Sequence, residues 1–211
     1  MGVTLDDGSR IDAGLVINAA GPWCNQINAM VGIQFDWQLV PTRVAVGHRP
    51  IPPELLGEFP VICDPLGGVY LRPEAGGQQV IFGSTQEGDE QERANPDTYN
   101  RLAEQAFLQS RIQSVHHRLP SLPYQGTVGG MSAMYTVNRV DVHPVVGMSP
   151  VDGFFWVNGF SGHGFKEAPM IGSQVAQFIT NTSATFDTDV PMGFFSPDRT
   201  PLITSGLNVL A

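Results

Sequence analysis

The residues best suited to chemistry in this 211-residue chain are crowded into the run Gly159-Phe160-Ser161-Gly162-His163-Gly164-Phe165-Lys166. Three glycines within six residues let a backbone approach a ligand closely and leave amide N–H groups to bind it. His163 adds an imidazole able to donate or accept a hydrogen bond. Lys166, the only lysine in the chain, adds a compact cation suited to a carboxylate. The run follows the aromatic segment Gly153-Phe154-Phe155-Trp156-Val157 and precedes a helix-like pattern from Ala168 to Ile179. This order predicts a strand, a ligand-cradling turn and a helix. A lone lysine is usually a solvated surface group. Placement of the only lysine at the end of this turn nevertheless favours function for Lys166. For His163, a ligand contact and a half-buried loop histidine bonded to backbone both stay open.

A second strand–glycine–helix succession lies near the start. Leu15-Val16-Ile17 is a continuous apolar run, the mark of a strand buried on both faces. Ala19-Ala20-Gly21 follows, and Pro22 is placed to begin a helix over residues 23–31. From the residues alone, close packing of strand on helix is the stronger reading of Ala-Ala-Gly, with a phosphate or ribose contact as the other.

Three segments in order resemble the FAD-dependent amine and amino-acid oxidoreductases, the D-amino acid oxidase/sarcosine oxidase group. Residues 2–23, ending in Asn18-Ala19-Ala20-Gly21-Pro22-Trp23, are similar to that family's hairpin, strand and signature turn. Residues 134–147, from Met134-Tyr135-Thr136 to His143-Pro144-Val145-Val146-Gly147, resemble its link back into the FAD domain. Gly159–Lys166 resembles its C-terminal flavin-contacting motif. The resemblance implies FAD as cofactor, contacted by Ala20, Gly21, Trp23, Gly159, Gly162, His163, Gly164, Phe165 and Lys166. It implies substrate contacts from Lys166, Tyr135 and His163, with Lys166 on the substrate carboxylate. The implied activity is oxidation of the C–N bond of a small carboxylated amine, an amino acid or N-methyl amine, with flavin accepting a hydride equivalent. Tyr135 also has a packing reading, since a buried tyrosine needs a partner for its hydroxyl. Arg72, in Tyr-Leu-Arg-Pro, is placed to face the implied cavity without a role that the resemblance supplies.

Two departures from the monomeric sarcosine oxidases narrow this. Ala133 stands where their flavin-linking cysteine lies, so the FAD is expected to be non-covalent. Ile81 stands where their oxygen-activating lysine lies, which makes a dehydrogenase at least as expected as an oxidase. The dinucleotide fingerprint Gly-x-Gly-x-x-Gly does not occur in these 211 residues. The expectation is therefore the C-terminal portion of a larger flavoenzyme, a fragment or a split subunit whose dinucleotide-binding half comes from another chain. A non-catalytic remnant that keeps the substrate sheet is the alternative.

Composition excludes other classes. A formal net charge of −9 with no basic stripe argues against nucleic acid. No apolar run reaches membrane-spanning length. Cys24 and Cys63 form no CxxC pair, so neither a zinc site nor a disulfide framework is indicated, and the cytoplasm or another reducing compartment suits them. His48 and His143 are not spaced with any cysteine or acid as metal ligands. Acidic residues from Glu87 to Glu92 read as a solvated loop.

The elements that must position these residues predict an α+β (α/β) fold. It comprises the C-terminal part of an FAD/NAD(P)-binding domain and a mostly antiparallel substrate-domain sheet with a covering helix. Residues 1–40 supply a hairpin, strand and helix of the FAD domain, 41–137 the substrate domain, 138–182 the return segment, and 183–211 a tail that packs as an extended segment or frays. Within and beside 41–137, strands are expected over 38–48, 60–73, 79–83 and 127–135. One helix is expected from Asn95-Pro96-Asp97 to about His117, with Tyr99, Leu102, Ala106 and Val115 near one face. Residues 1–31 and 138–180 are expected to pack together.

Overall fold

The computed structural model describes residues 2–53, 59–90 and 92–202. The chain divides into two compact units, one formed by Met1–Pro41 with Tyr135–Ala211 and the other by Thr42–Met134.

In the first unit, β1 (Gly2–Thr4) and β2 (Arg10–Asp12) form the antiparallel hairpin. Its turn is closed by Asp7, whose carboxylate accepts the Ser9 N–H at 2.9 Å. β3 (Val16–Asn18) leads through a 3-10 turn, Gly21–Trp23 with Pro22 inside it, into α1 (Cys24–Met30). The chain returns much later as β9 (Val145–Met148), β10 (Phe154–Asn158) and α3 (Gly164–Thr180). β10 lies between the other two strands, parallel to β3 and antiparallel to β9. The register Val16↔Phe154, Ile17↔Phe155, Asn18↔Trp156 brings the two ends of the sequence side by side, as expected. Phe155, Val146, Ile171 and Phe195 form a buried cluster of this unit. Burial of β3 on both faces does not hold: Ile17 is 37% exposed. Among the described residues β3 has β10 as its only strand neighbour, so it is an edge.

The tail beyond residue 182 is ordered packing through residue 202, not a frayed end, because it carries its own anchors. Phe195 enters the core. The Arg199 guanidinium bonds both carboxylate oxygens of the fully buried Asp141, stacks 4.1 Å from the Trp37 ring and donates to the Phe195 and Ser196 carbonyls. Residues 203–211 lie outside the described residues.

The second unit is built on a five-stranded sheet. Its strands are β4 (Leu39–Pro50), β5 (Ile62–Asp64), β6 (Val69–Glu74), β7 (Gln79–Ser84) and β8 (Gly129–Asn138). Their order across the sheet is β5-β6-β7-β4-β8, and the first four pair antiparallel in succession. One face carries Val69, Leu71, Val80 and Phe82, which pack with Ile112 and Val115 of α2 (Gln105–Arg118) in a buried cluster. Gly47 is required there, since a Cβ would stand 2.3 Å from the Phe82 ring.

α2 starts about ten residues later than Asn95-Pro96-Asp97 predicts. Asn95 does act locally, accepting the Asp97 N–H, but it closes a turn and not a helix. The carbonyls needed to propagate a helix from there are already taken. Arg43, 4% exposed, donates to the carbonyls of Asn100 (2.8 Å) and Leu102 (2.6 Å), and Ser132 N–H takes that of Arg101. Tyr99 and Leu102 therefore lie outside the helix, and Leu102 bridges Met131 of β8 instead. The acidic run is solvent-exposed where it is described, as read from the sequence, and its carboxylates also serve as partners of buried arginines. Glu92 and Glu104 each pair with Arg43 at 2.8 Å, and Asp89 approaches buried Arg111 at 3.8 Å. A buried guanidinium needs counter-charge, and nearby carboxylates supply it.

Arg43→Met is expected to lower unfolding stability by about 2–4 kcal/mol, because several carbonyl acceptors lose a charged donor at once. Urea denaturation with an unchanged m-value measures it. A loss below about 1 kcal/mol would show that the 98–104 segment is held by the sheet alone.

Candidate active site

The parallel pair β3–β10 places two loops at the same end of adjacent strands. In open α/β sheets, ligands occupy the crevice beyond the carboxyl ends of such strands. Here those ends are Asn18 and Asn158, both buried, and the Asn158 amide donates to the Asn18 carbonyl at 3.0 Å. Asn18 donates in turn to the Cys24 carbonyl and to Asn28 Oδ1, each at 2.9 Å. Asn28 Oδ1 also accepts the Trp156 indole N–H at 2.9 Å. These amides fix where the backbone leaves the sheet. Beyond β3, Gly21 at φ +52° turns the chain into the 3-10 turn and presents Trp23, 39% exposed. Ala20 N–H is held by Asn18 Oδ1.

Beyond β10, the glycine spacing has a steric explanation before any ligand is invoked. Gly159 lies at φ +77°, with Leu39 Cδ2 only 2.8 Å from where a Cβ would stand. Gly162 lies at φ +86°, and its Cβ would meet the Tyr135 ring at 2.7 Å. Between them Ser161 is fully buried at φ +48°, an unfavourable conformation for a residue with a Cβ. It is held by three bonds: its N–H to the Thr136 carbonyl, its hydroxyl to the Gly159 carbonyl, and the Asn138 N–H to its hydroxyl. The loop is thus docked on the end of β8, and Tyr135 is brought against Gly162.

His163 is 8% exposed and caps α3, its carbonyl accepting the N–H groups of Lys166 and Glu167. α3 begins at Gly164, four residues before the helix pattern at Ala168. Phe165, 98% exposed, breaks the apolar periodicity and hides this first turn. Phe165 and Lys166 therefore stand on the helix and not in the loop. Lys166 is exposed and has no ion pair among the described residues. Arg72 lies on β6 and pairs with Glu74. His116 and His117 lie in the last turn of α2, where they suit the helix dipole. Among the described residues no cluster of His, Cys, Asp or Glu is arranged for a metal ion. Cys24 is buried, which pushes its thiol up to about 11, while Cys63 is exposed.

Sequence reasoning passes over Glu167. Burial raises its carboxyl above the usual range, opposed by the nearby His143 and Lys166, and its Oε2 is buried without a hydrogen-bond partner among the described residues. Its only sequence signal is an acid in the first turn of a helix whose start the apolar pattern places too late.

Two outcomes are expected. Gly162→Ala adds a strained φ, about 1–2 kcal/mol, to a clash with Tyr135 of about 1–3 kcal/mol. In a Tyr135→Ala background only the first cost should remain. Equal costs in both backgrounds, read by denaturation, would show that Tyr135 does not dictate the glycine. For Glu167 the folded state binds the proton more tightly than the unfolded chain. Stability from this group is thus full below the unfolded value near 4.5 and falls as pH rises through the folded value. Glu167→Gln should raise the melting temperature at pH 7 and lose that advantage at pH 4. A constant difference across pH would contradict it.

The family model described as "FAD dependent oxidoreductase" matches residues 1–178. "FAD-dependent oxidoreductase domain-containing protein 1" of Bos taurus is 30% identical over 182 residues, covering 80% of this chain and 36% of that protein. The monomeric sarcosine oxidase of Streptomyces avermitilis is 27% identical over 201 residues, covering 89% of this chain and 48% of that protein. Among solved structures, L-proline dehydrogenase from P. horikoshii superposes with a TM-score of 0.71 at 28% identity, covering 93% of this chain and 49% of that one. The chain spans a third to a half of the length of these relatives. With the parallel pair, its two loops and the three ordered motifs, these matches place the chain in the FAD-dependent oxidoreductase family of the D-amino acid oxidase/sarcosine oxidase type.

Proposed function

We propose that this chain forms the substrate-side half of an enzyme that oxidises the C–N bond of a small secondary amino acid, with its flavin bound non-covalently. The carrying observation is that Gly159–Gly164 and Ala19–Gly21 leave adjacent parallel strands at the same end, beside the start of α3. Sarcosine and L-proline, the compounds in two relatives' names, each carry a carboxylate on the carbon beside a secondary amine.

The residues present fit FAD. Asn158 Oδ1 is buried at the strand end without a hydrogen-bond partner among the described residues, a polar atom that a ligand hydroxyl or amide can satisfy. Ala20, Gly21 and Trp23 would hold one part of it, and Gly159, Gly162, His163, Gly164 and Phe165 another. When bound, FAD supplies the two-electron acceptor. Binding and orienting the substrate fall to side chains of this chain. Lys166, exposed and free of an ion pair among the described residues, takes the substrate carboxylate. Tyr135 and His163 bound the space beside the loop and orient the amine. Ala133 offers no thiol for a covalent flavin link, and Ile81 offers no cation for oxygen, which leaves a dehydrogenase at least as well supported as an oxidase. The pyrophosphate cradle, Gly-x-Gly-x-x-Gly at a helix N-terminus, is supplied by another polypeptide segment, so this chain alone binds FAD weakly.

In an assembly that contains that segment, Lys166→Ala is expected to weaken carboxylated substrates roughly 10- to 150-fold, the equivalent of a charge-assisted bond of about 1.5–3 kcal/mol. Lys166→Arg should also be damaging, because a fork cannot replace a compact ammonium. Flavin-reduction kinetics on a carboxylated amine and its decarboxylated counterpart decide the matter. An equal loss on both would make Lys166 structural.

A further inference from the structure

The turn that joins β9 to β10 forms one wall of a cavity of about 340 Å³, at the opposite end of β10 from the glycine loop. Residues 34–37, between α1 and β4, and residues 197–198 of the tail supply the other walls, all within the first unit. The volume lies at the lower end of the range for small-molecule sites, roughly 300–1,000 Å³. Three aromatic rings and two carboxylates line it: Phe35, Trp37 and Trp156, with Asp36 and Asp198. Phe35 packs on Trp156 with ring centroids 4.2 Å apart. Both indole N–H groups are spent, Trp37 on the Pro197 carbonyl at 2.8 Å and Trp156 on Asn28 Oδ1 at 2.9 Å. Ser149 Oγ is spent too, donating to the Val151 carbonyl and accepting the Val151 N–H. The rings therefore offer a ligand their π surfaces and no donor. Among the described residues no lysine, arginine or histidine lines the cavity. Asp36 and Asp198 are exposed and have no ion pair among the described residues. Arg199, next in sequence to Asp198, already lies 4.1 Å from the Trp37 ring, and both carboxylate oxygens of Asp141 offset its charge.

We propose that this cavity binds a small alkylated ammonium ion that carries no carboxylate, of the choline type. The negative faces of aromatic rings attract a cation, and alkylammonium heads are the cations that such rings hold best once water is shed. The methyl groups of the head bury against Met148 and Pro150, which also line the cavity. Asp36 and Asp198 add a Coulombic attraction at the mouth and repel any ligand that carries its own carboxylate. A metal ion is not selected: two exposed carboxylates supply too few oxygens for a hard cation, and among the described residues no third ligand joins them. The selection is the reverse of the one proposed for Lys166. One end of β10 takes a carboxylate, and the other end excludes it. This site does not depend on the proposed oxidation.

The test titrates the full chain at constant ionic strength with choline, its neutral isostere 3,3-dimethyl-1-butanol, and glycine betaine. Calorimetry reads the binding, and tryptophan fluorescence follows it because Trp37 and Trp156 line the cavity. Choline should bind with a dissociation constant on the order of 1 mM, roughly 10-fold tighter than either of the other two. Phe35→Leu keeps apolar bulk and removes a π face. It should weaken choline about 3- to 30-fold and leave the isostere unchanged. Asp36→Asn combined with Asp198→Asn should weaken choline about 3- to 10-fold and narrow its advantage over betaine. Phe186→Ser, at a fully exposed site outside the cavity, should bind choline as the parent does. Equal affinity for choline and its isostere would make the cavity a plain apolar pocket and overturn the proposal. So would betaine binding as tightly as choline, undiminished choline affinity in both cavity variants, or no saturable choline binding up to about 50 mM.

Discussion

The pairing of β3 with β10 is the constraint on which the rest of the first unit depends. It joins residues 16–18 to 154–156 with only three residue pairs, a short ladder for so long a closed loop. The cost of loop closure grows only slowly with length, so the intervening chain raises it modestly. The ladder is reinforced by buried side-chain amides: Asn18 to Asn28, Trp156 to Asn28, and Asn158 to the Asn18 backbone. Buried amides are costly unless bonded, so this network specifies one register and not merely a compact state. A slip by one residue would strip Asn158 of its acceptor and turn Phe155 out of the core.

The two loops at the strand ends inherit their geometry from that register. The second is constrained further by Asn138, whose side chain donates to Asp141 and to the His143 carbonyl while its N–H bonds Ser161. Asp141 in turn anchors Arg199, so a single cluster ties the return segment, the glycine loop and the tail. Breaking a buried pair leaves an uncompensated charge, and this makes the cluster one unit rather than a sum of contacts. The second unit uses the same device once more. Arg43 gathers carbonyls from 100 and 102 and carboxylates from 92 and 104, and so decides where α2 is allowed to begin.

Local chemistry is legible in the sequence, and capture by a distant side chain is not. Alternation shows the strands of the sheet, because Val69, Leu71, Val80 and Phe82 turn to one side at period two. The Asp-Asp-Gly-Ser hairpin and the Pro22 helix start are readable because turn and cap chemistry involves near neighbours. The start of α2 is not, since Arg43, more than fifty residues upstream, captures the carbonyls. The start of α3 is hidden by Phe165, an aromatic side chain standing in the open, where burial periodicity gives no guide. The run Leu15-Val16-Ile17 reads as fully buried because its composition suits a covered strand, whereas Ile17 stands 37% exposed at the edge of its sheet.

The candidate site shows how one sequence pattern serves two purposes. Gly159 and Gly162 are required by left-handed φ values and by Leu39 and Tyr135 lying where their Cβ atoms would be. Packing therefore suffices to explain them, and their spacing alone argues weakly for a ligand. Lys166 is different in kind. It makes no ion pair among the described residues, it is exposed, and neither the loop bonds nor the helix cap uses its side chain. Folding explains the glycine turn and gives the Lys166 side chain no ion pair among the described residues, which is the observation the proposed carboxylate contact rests on. The glycine turn contributes by placing that cation on the first turn of α3, at the carboxyl end of two parallel strands, with Tyr135 fixed beside the loop.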